Sequence, residues 1–475
     1  MRLTIIGGGP GGYTAAFAAA KAECEVTLVE AASIGGICLN HGCIPTKALR
    51  ASADAINMAS RMAEYGVDGC DNALINMQVV NNRKNHVIEV LHGGLVKACQ
   101  KYKINCIQGH GRIVDAQTVE VTTNDGVSST VTGDAIIIAT GSDHLALPGI
   151  AIDHKVIVDS DDALELTSVP KRLLILGGGV IGSEMACIYR SFGSEVTIVQ
   201  RRDRLLSSPY VDKDVSTLVN REMRKQKIKV ITDRTLKNVR VENGVVRGLI
   251  VASPYVQNAD INEEPFEADM LLVTVGRAPM TTGLGLAEAG VAVDSKGWVK
   301  VSPTLETSLP HVYAIGDILG PDRIMLAHVS AMEALCALEN ILGQHVEMRY
   351  DVVPAAIFTS PEIGYVGLSE AEAKKKYNIV CSTFQMRELG KSQASGELPG
   401  FLKLVADADT GRVLGVHMAG AHTTDMIAEA ALAIKMHATA ADIAHTIHAH
   451  PTLSEGFYEA ARLAQEEIQH NHGDE

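Results

Sequence analysis

The sequence contains no apolar run long enough and free enough of charge to cross a bilayer, so no membrane-spanning helix is expected. It has no excess of basic residues either. The net charge of −14 argues against a nucleic acid or an anionic membrane as partner, because either favours a positive face. Cysteine is too sparse for a disulfide scaffold, with nine scattered through 475 residues. That odd, dispersed usage fits free thiols in a reducing compartment, and so a cytoplasmic protein. Low-complexity segments are absent, and no cysteine pair closes the C-terminus. The opening MRLTIIGGGPGG joins a basic residue to an apolar run, as a secretory signal does, but glycines and a proline interrupt the run early.

What is present begins with length: 475 residues exceed one hydrophobic core and predict two to four domains. An internal duplication then stands out. LTIIGGGPGGYTAAFAAAKAECEVTLVE (3–30) and LLILGGGVIGSEMACIYRSFGSEVTIVQ (173–200) both read strand, glycine fingerprint, helix, strand. Gly7, Gly9 and Gly12 match Gly177, Gly179 and Gly182. The first glycine permits a tight turn, the second lets backbone approach a pyrophosphate, and the third lets helix and strand pack closely. The helix starts, Pro10 in one copy and Val180-Ile181 in the other, then offer unpaired N–H groups to phosphate. Glu30 ends the first repeat, where a carboxylate accepts ribose hydroxyls. Gln200 takes its place in the second, followed by Arg201 and Arg202, a pattern that favours a 2′-phosphate and so NADP(H), or tolerance of both nucleotides.

Along the chain, residues 1–145 read as a first nucleotide-binding domain closing on Thr140, Gly141 and Ser142. Residues 146–266 read as a second, and 267–346 as a return to the first, with strands ending at Gly276 and at Asp317. Residues 347–475 alternate short β segments with helices and read as an α+β domain with another task; HNHGDE reads as a solvated tail. The fold class expected is α/β, with two Rossmann-like dinucleotide-binding domains and a C-terminal α+β domain.

GGICLNHGCIPTK (35–47) holds two cysteines, Cys38 and Cys43. Across five residues a regular helix rises about 7.5 Å, whereas a disulfide needs Cα atoms within about 6.8 Å. A bond here therefore requires an irregular helix start, which Gly42 and Pro45 suit. With a helix from about Ile44, Cys43 and Lys47 share one face. A zinc site using Cys38, His41 and Cys43 is the metal alternative, but the spacing is unusual and no fourth ligand follows, so no metal is expected. A redox pair would need a base. In HAHPTLSEGF, Pro451 can start a helix just after His450, and Glu455 is near enough to fix the His450 tautomer. His445 and His448 read as structural or exposed.

Both fingerprints, CLNHGCIPTK, ATGS, YAIGD and HAHPTLSEGF together resemble the flavoprotein pyridine nucleotide–disulfide oxidoreductases over essentially the whole chain. Ile44 to Lys47, Leu453 and the stretch Met325, Leu326, Ala327 and His328 resemble the branch that acts on lipoyl dithiols. The resemblance implies FAD in the first domain, NAD or NADP in the second, and a homodimer formed through the C-terminal domain. It implies that Glu30 binds the FAD ribose, Asp317 the ribityl or pyrophosphate region, and Gly111 with Thr140 to Ser142 the adenosine end. It also implies a Cys38–Cys43 redox disulfide, a Lys47–Glu184 pair beside flavin and nicotinamide, and His450 with Glu455 as the acid–base pair. Cys38 would exchange with substrate and Cys43 would pass electrons to FAD. His41 departs from the small apolar residue usual there. The substrate implied is a small dithiol or a lipoyl domain, within a 2-oxo acid dehydrogenase or glycine cleavage complex. An NADPH-dependent reductase of another disulfide, such as glutathione, or of quinones is the alternative, and a non-catalytic flavoprotein subunit is a third reading.

Overall fold

The strand Arg2–Ile6 carries the β-branched, apolar residues that a strand covered on both faces requires, and Leu3, Ile5 and Ile6 are buried. In the computed structural model, which describes residues 1–70, 72–256 and 262–473, it lies inside a seven-stranded sheet. The parallel part runs Val312–Ala314, Ala135–Ile138, Arg2–Ile6, Glu25–Glu30 and Asn105–Ile113. Thr118–Thr123 and Ser128–Thr132 extend it antiparallel. The helix Pro10–Lys21 presents Ala15, Ala16 and Ala19 to this core, and its small residues let the helix Ala327–Ile341 pack beside it.

The second repeat builds a five-stranded parallel sheet in the order Lys229–Ile231, Glu195–Val199, Arg172–Leu176, Met270–Val273, Ile157–Val158. A three-stranded antiparallel sheet, Arg234–Glu242, Val245–Ala252 and Glu264–Ala268, packs near it. The boundary expected at residue 266 is therefore too early. Met270–Val273 pairs with Arg172–Leu176, because its apolar run completes the second core. The chain crosses between the two sheets on a ribbon in which Ser142–His144 pairs antiparallel with Arg277–Pro279.

The C-terminal part is a five-stranded antiparallel sheet, Ala355–Ile357, Glu362–Gly367, Val413–Gly420, Phe401–Asp407, Ile379–Gln385. The helix Glu455–Gly473 buries Phe457, Ala460, Ala461 and Ala464 against it. The expected tail HNHGDE is thus helical through Gly473, the helix having already gained its core contacts upstream. Residues 474 and 475 lie outside the described residues. No helix among the described residues is long and apolar enough to cross a membrane.

Candidate active site

The two glycine fingerprints adopt the same geometry. Gly7 and Gly177 have φ of +106° and +115°, and a Cβ on either would lie 2.3 Å from the carbonyl oxygen of Ala139 or Thr274. A Cβ on Gly12 would lie 1.8 Å from the Gly7 oxygen, and one on Gly182 2.0 Å from the Gly177 oxygen. These four glycines are required by the fold itself. Gly9 and Gly179 are different. A Cβ on Gly9 would meet only the Gly36 Cα at 3.9 Å, and one on Gly179 would meet nothing within 4 Å. Neither helix start, at Pro10 or at Val180-Ile181, has a side-chain cap. Open backbone beside uncapped N–H groups is what a pyrophosphate needs, so both cradles fit a dinucleotide.

The residues ending the second strands part company. Glu30 accepts the N–H groups of Gly8 at 2.6 Å and Ala32 at 2.8 Å, which holds its carboxylate at the mouth of the first cradle. Gln200 is buried, and its amide donates to the Arg204 carbonyl at 3.1 Å and to Ser207 Oγ at 3.3 Å. Its own carbonyl accepts the Arg201 N–H at 3.0 Å. Gln200 is thus spent on the loop that follows. Arg201 and Arg202 are exposed beside it, their guanidiniums 5.3 and 4.0 Å from the Tyr255 ring centre.

At the first sheet, Gly111 is buried, and a Cβ there would lie 3.0 Å from Ile6. Thr140 donates to the Met280 carbonyl at 2.9 Å, and Gly141 accepts the Met280 N–H. Ser142 Oγ donates to Asp317 at 2.7 Å and takes the Arg277 Nε–H at 2.6 Å. Gly276, at φ +138°, sits at the ribbon, where its carbonyl accepts the Leu145 N–H. Met325, Leu326 and Ala327 lie half-buried at the start of the helix Ala327–Ile341. His328 is exposed, its Nε2 2.8 Å from the Pro354 carbonyl.

Cys38 lies on the short helix Gly36–Asn40, and Cys43 starts the helix Cys43–Ala59. The break at His41 and Gly42 supplies the irregular backbone that brings the thiols together. Both are free thiols, Cys38 half-buried and Cys43 exposed. Cys38 donates its S–H to Cys43; that bond leads the causes that lower the Cys43 thiol to about 7, with burial opposing and Lys47 assisting. The same bond, then burial, drives the Cys38 thiol far up. Of the two sulfurs, Cys43 is therefore the one that ionises first. Among the described residues, Cys38, His41 and Cys43 are not a group whose three ligand atoms all lie within 4.8 Å of one another. Lys47 Nζ lies 2.9 Å from Glu184, whose side chain is 5% exposed, and 4.3 Å from the Phe358 ring centre. Glu184 also accepts the Phe358 N–H at 2.8 Å.

His450 Nδ1 lies 2.8 Å from Glu455, and its ring is 77% exposed. The Thr452 N–H donates to the other Glu455 oxygen at 2.7 Å. Pro451 does not start a helix as expected. Thr452 bonds back to the Ala449 carbonyl, so residues 450–453 form a turn and the helix starts at Glu455. His448 lies 2.9 Å from Glu429. Burial and geometry leave His450 presented outward, with its outer nitrogen free of Glu455.

Comparison with known proteins settles the family. The pattern described as pyridine nucleotide-disulphide oxidoreductase matches residues 1–334, and the dimerisation domain of that family matches 353–461. This chain belongs to the pyridine nucleotide–disulphide oxidoreductases. FAD and NAD(H) are the cofactors of this family. The dihydrolipoyl dehydrogenase of Haloferax volcanii is 37% identical over 465 residues, covering 97% of this chain and 96% of its own. That of Bacillus subtilis is 38% identical over 464 residues, covering 97% and 95%. Among solved structures, LpdA from Mycobacterium tuberculosis matches with a TM-score of 0.89 at 26% identity, over 98% of this chain and 99% of that one. The HOCl-induced flavoprotein disulfide reductase RclA from Escherichia coli matches at 0.84 and 26%, over 98% and 100%.

Within one chain of this oxidoreductase, three groups assemble: the glycine cradles, the Cys38–Cys43–Lys47–Glu184 cluster, and the His450–Glu455 pair. The third bonds to none of Cys38, Cys43 or Lys47 among the described residues. Sequence reasoning missed Phe358, Arg277 and the buried Glu333, which accepts Gly316 N–H and Tyr350 O–H at 2.6 Å each. Arg277 had a signal, since it follows the glycine turn of DMLLVTVGR. Phe358 and Glu333 had none.

Proposed function

We propose that this oxidoreductase moves electrons between dihydrolipoyl groups and NAD⁺, the activity for which its relatives are named. One arrangement carries the reading: the neighbouring thiols Cys38 and Cys43 at a helix start, with the Cys43 thiol lowered, beside the Lys47–Glu184 pair. Two copies pair through the C-terminal domain. The family's dimerisation domain supports this, as do Ile447, Met436 and Leu432, which expose 97%, 70% and 62% of their surface there.

With the pair oxidised to a disulfide, a substrate dithiol approaches Cys38. The free nitrogen of His450, on a second copy, takes a thiol proton, and Glu455 stabilises the imidazolium through Nδ1. The substrate thiolate attacks Cys38, and the Cys43 sulfur leaves as a thiolate. The second substrate thiol then attacks the mixed disulfide; its proton passes to the departing Cys38 sulfur, which is released as the thiol that now donates to Cys43, while the first proton leaves from His450 to solvent. One disulfide has been exchanged for another, with two electrons now on the cysteine pair. FAD, when bound, supplies the two-electron store between that pair and the nicotinamide. Gly7, Gly9, Gly12, Glu30, Gly111, Thr140 to Ser142, Asp317 and Met325 to His328 hold it in this reading. Gly177, Gly179, Val180, Ile181, Gly182 and Gly276 line the pyridine nucleotide, with Glu184 close by. Arg201 and Arg202, freed by the internal use of Gln200, also accept the 2′-phosphate of NADP(H). The nine unpaired cysteines suit a cytoplasmic location, and a lipoyl domain of a 2-oxo acid dehydrogenase or glycine cleavage complex is the partner.

The test is lipoamide reduction by the purified, FAD-loaded protein, with NADH and NADPH compared. Turnover with NADH, lost in Cys43→Ser while FAD stays bound, is expected. No turnover with either nucleotide, from protein holding FAD and both thiols, would move the reading to another disulfide or a quinone.

A further inference from the structure

We infer that Glu333 is a positioning residue for the flavin. Its carboxylate holds the turn Gly316–Leu319, and Asp317 with it, at a set place on the helix Ala327–Ile341. The inference rests on the reading that Asp317 and Met325 to His328 hold FAD. That reading makes no use of Glu333, Tyr350 or Arg323.

The strand Val312–Ala314 runs through extended backbone at Ile315 and turns at Gly316, which has φ of +78°. The turn is wedged between two helices. A Cβ on Gly316 would lie 3.0 Å from Ser330 Oγ, on the helix Ala327–Ile341. A Cβ on Gly11, in the helix Pro10–Lys21, would lie 3.0 Å from Ile315 Cδ1. The Gly316 N–H opens the short helix and so has no partner within it. Glu333 Oε2 accepts it at 2.6 Å. On the far side, Ser142 Oγ donates to the Asp317 carboxylate at 2.7 Å, and Arg277 Nε lies 3.8 Å from it. The turn is thus held through its backbone by Glu333 and through its Asp317 side chain by the ribbon.

Glu333 is 1% exposed. A buried carboxylate is a costly filler, and an apolar side chain of similar volume serves as well where packing alone is required. Two converging donors account for it here. Tyr350 O–H donates to Oε1 at 2.6 Å, while Gly316 N–H donates to Oε2. Arg323 Nη1 donates to Tyr350 Oη at 2.9 Å, which directs the tyrosine proton at Glu333. A carboxylate offers two acceptor oxygens to two donors, whereas glutamine offers one oxygen and one amide nitrogen. Glu333 also sits about 9 Å along the helix from Ala327. One carboxylate therefore sets the spacing between the Asp317 turn and the helix start where Met325 to His328 lie.

The test is release of FAD from purified holoenzyme, followed as free flavin fluorescence after dilution. Glu333→Met keeps the volume and removes both acceptors, so release should be at least tenfold faster than in wild type. Tyr350→Phe leaves Glu333 to Gly316 and should stay within threefold. Glu333→Gln should speed release by more than threefold when Tyr350 competes for its one oxygen, and by less than threefold in the Tyr350→Phe background. A packing role would give equal effects in both backgrounds. Far-UV circular dichroism checks that each variant is folded. Release from Glu333→Met within threefold of wild type would overturn the inference. So would equal effects of Glu333→Gln with and without the Tyr350 hydroxyl, a comparison that decides the matter where Glu333→Met does not fold. Asp317→Asn tests the underlying reading: unchanged release there removes Asp317 from the flavin cradle, and this inference with it. Faster release in Asp317→Asn but not in Glu333→Met overturns this inference alone.

Discussion

Replacing Cys38 by alanine should do more than remove one end of a disulfide. It should take away the main cause that makes Cys43 a thiolate. With the Cys38 S–H in place, the Cys43 thiol falls to about 7, so about half of it is ionised at pH 7. Without that donor, Lys47 still lowers the value and burial still raises it, and these two oppose each other. A return to the ordinary thiol value of about 8.5 leaves about 3% thiolate at pH 7, a loss of about fifteenfold. The assay is the pH dependence of thiolate absorbance near 240 nm in the dithiol protein, with Cys43→Ser as the blank. Wild-type protein should show a midpoint near 7, and Cys38→Ala one near or above 8.5. A midpoint in Cys38→Ala within half a unit of wild type would refute the reasoning, because Lys47 and the helix start would then be sufficient alone. Cys38→Ser separates the two ideas further: a hydroxyl can still donate, so its midpoint should stay nearer 7.

Three other outcomes follow from the geometry. Lys47→Met strands the buried Glu184 without its cation and should cost about 3 kcal/mol in urea unfolding. Gly179→Ala has free space for its methyl and should leave the melting temperature unchanged, yet raise KM for the nucleotide at least tenfold; Gly182→Ala, with its methyl 2.0 Å from a carbonyl oxygen, should fail in both assays. Burial raises the Glu333 carboxyl to about 7, against hydrogen bonds from Tyr350 and Gly316 that favour its charge. Its folded value exceeds its unfolded one, so the folded chain binds the extra proton between about pH 4.5 and 7, and stability should fall as pH rises through that window. Unfolding free energies at pH 5 and 8 should differ by about 2.5 kcal/mol more in wild type than in Glu333→Gln.

Much of this was legible in the sequence because it is local. A fingerprint of three glycines at fixed spacing, after one apolar strand and before another, needs only its own 28 residues to declare a turn, and it recurs at 173–200. The break between Cys38 and Cys43 was readable from Gly42 for the same reason. What was not readable depends on distance along the chain. Phe358 reaches Lys47 and Glu184 across 174 residues from Glu184, and nothing in VVPAAIFTS marks it. Met270–Val273 reads equally well as a strand of either sheet until its partners are known. Pro451 failed as a helix start because Thr452 and Glu455 use their side chains to hold a turn first. Lys47 on the face of Cys43 was legible; the larger cause that lowers the Cys43 thiol, its neighbour Cys38, depends on a backbone kink that residue types only suggest.

The ribbon of Ser142–His144 against Arg277–Pro279 has an architectural consequence. Outgoing and returning strands run side by side, so everything between them is inserted through a single doorway in the first sheet. A module with adjacent ends can be exchanged without rewiring its host. Gln200, Arg201 and Arg202 lie inside that insert, so the nucleotide preference proposed for them is a property that evolution or a protein engineer can trade as a cassette, provided that the replacement keeps Glu184 for Lys47.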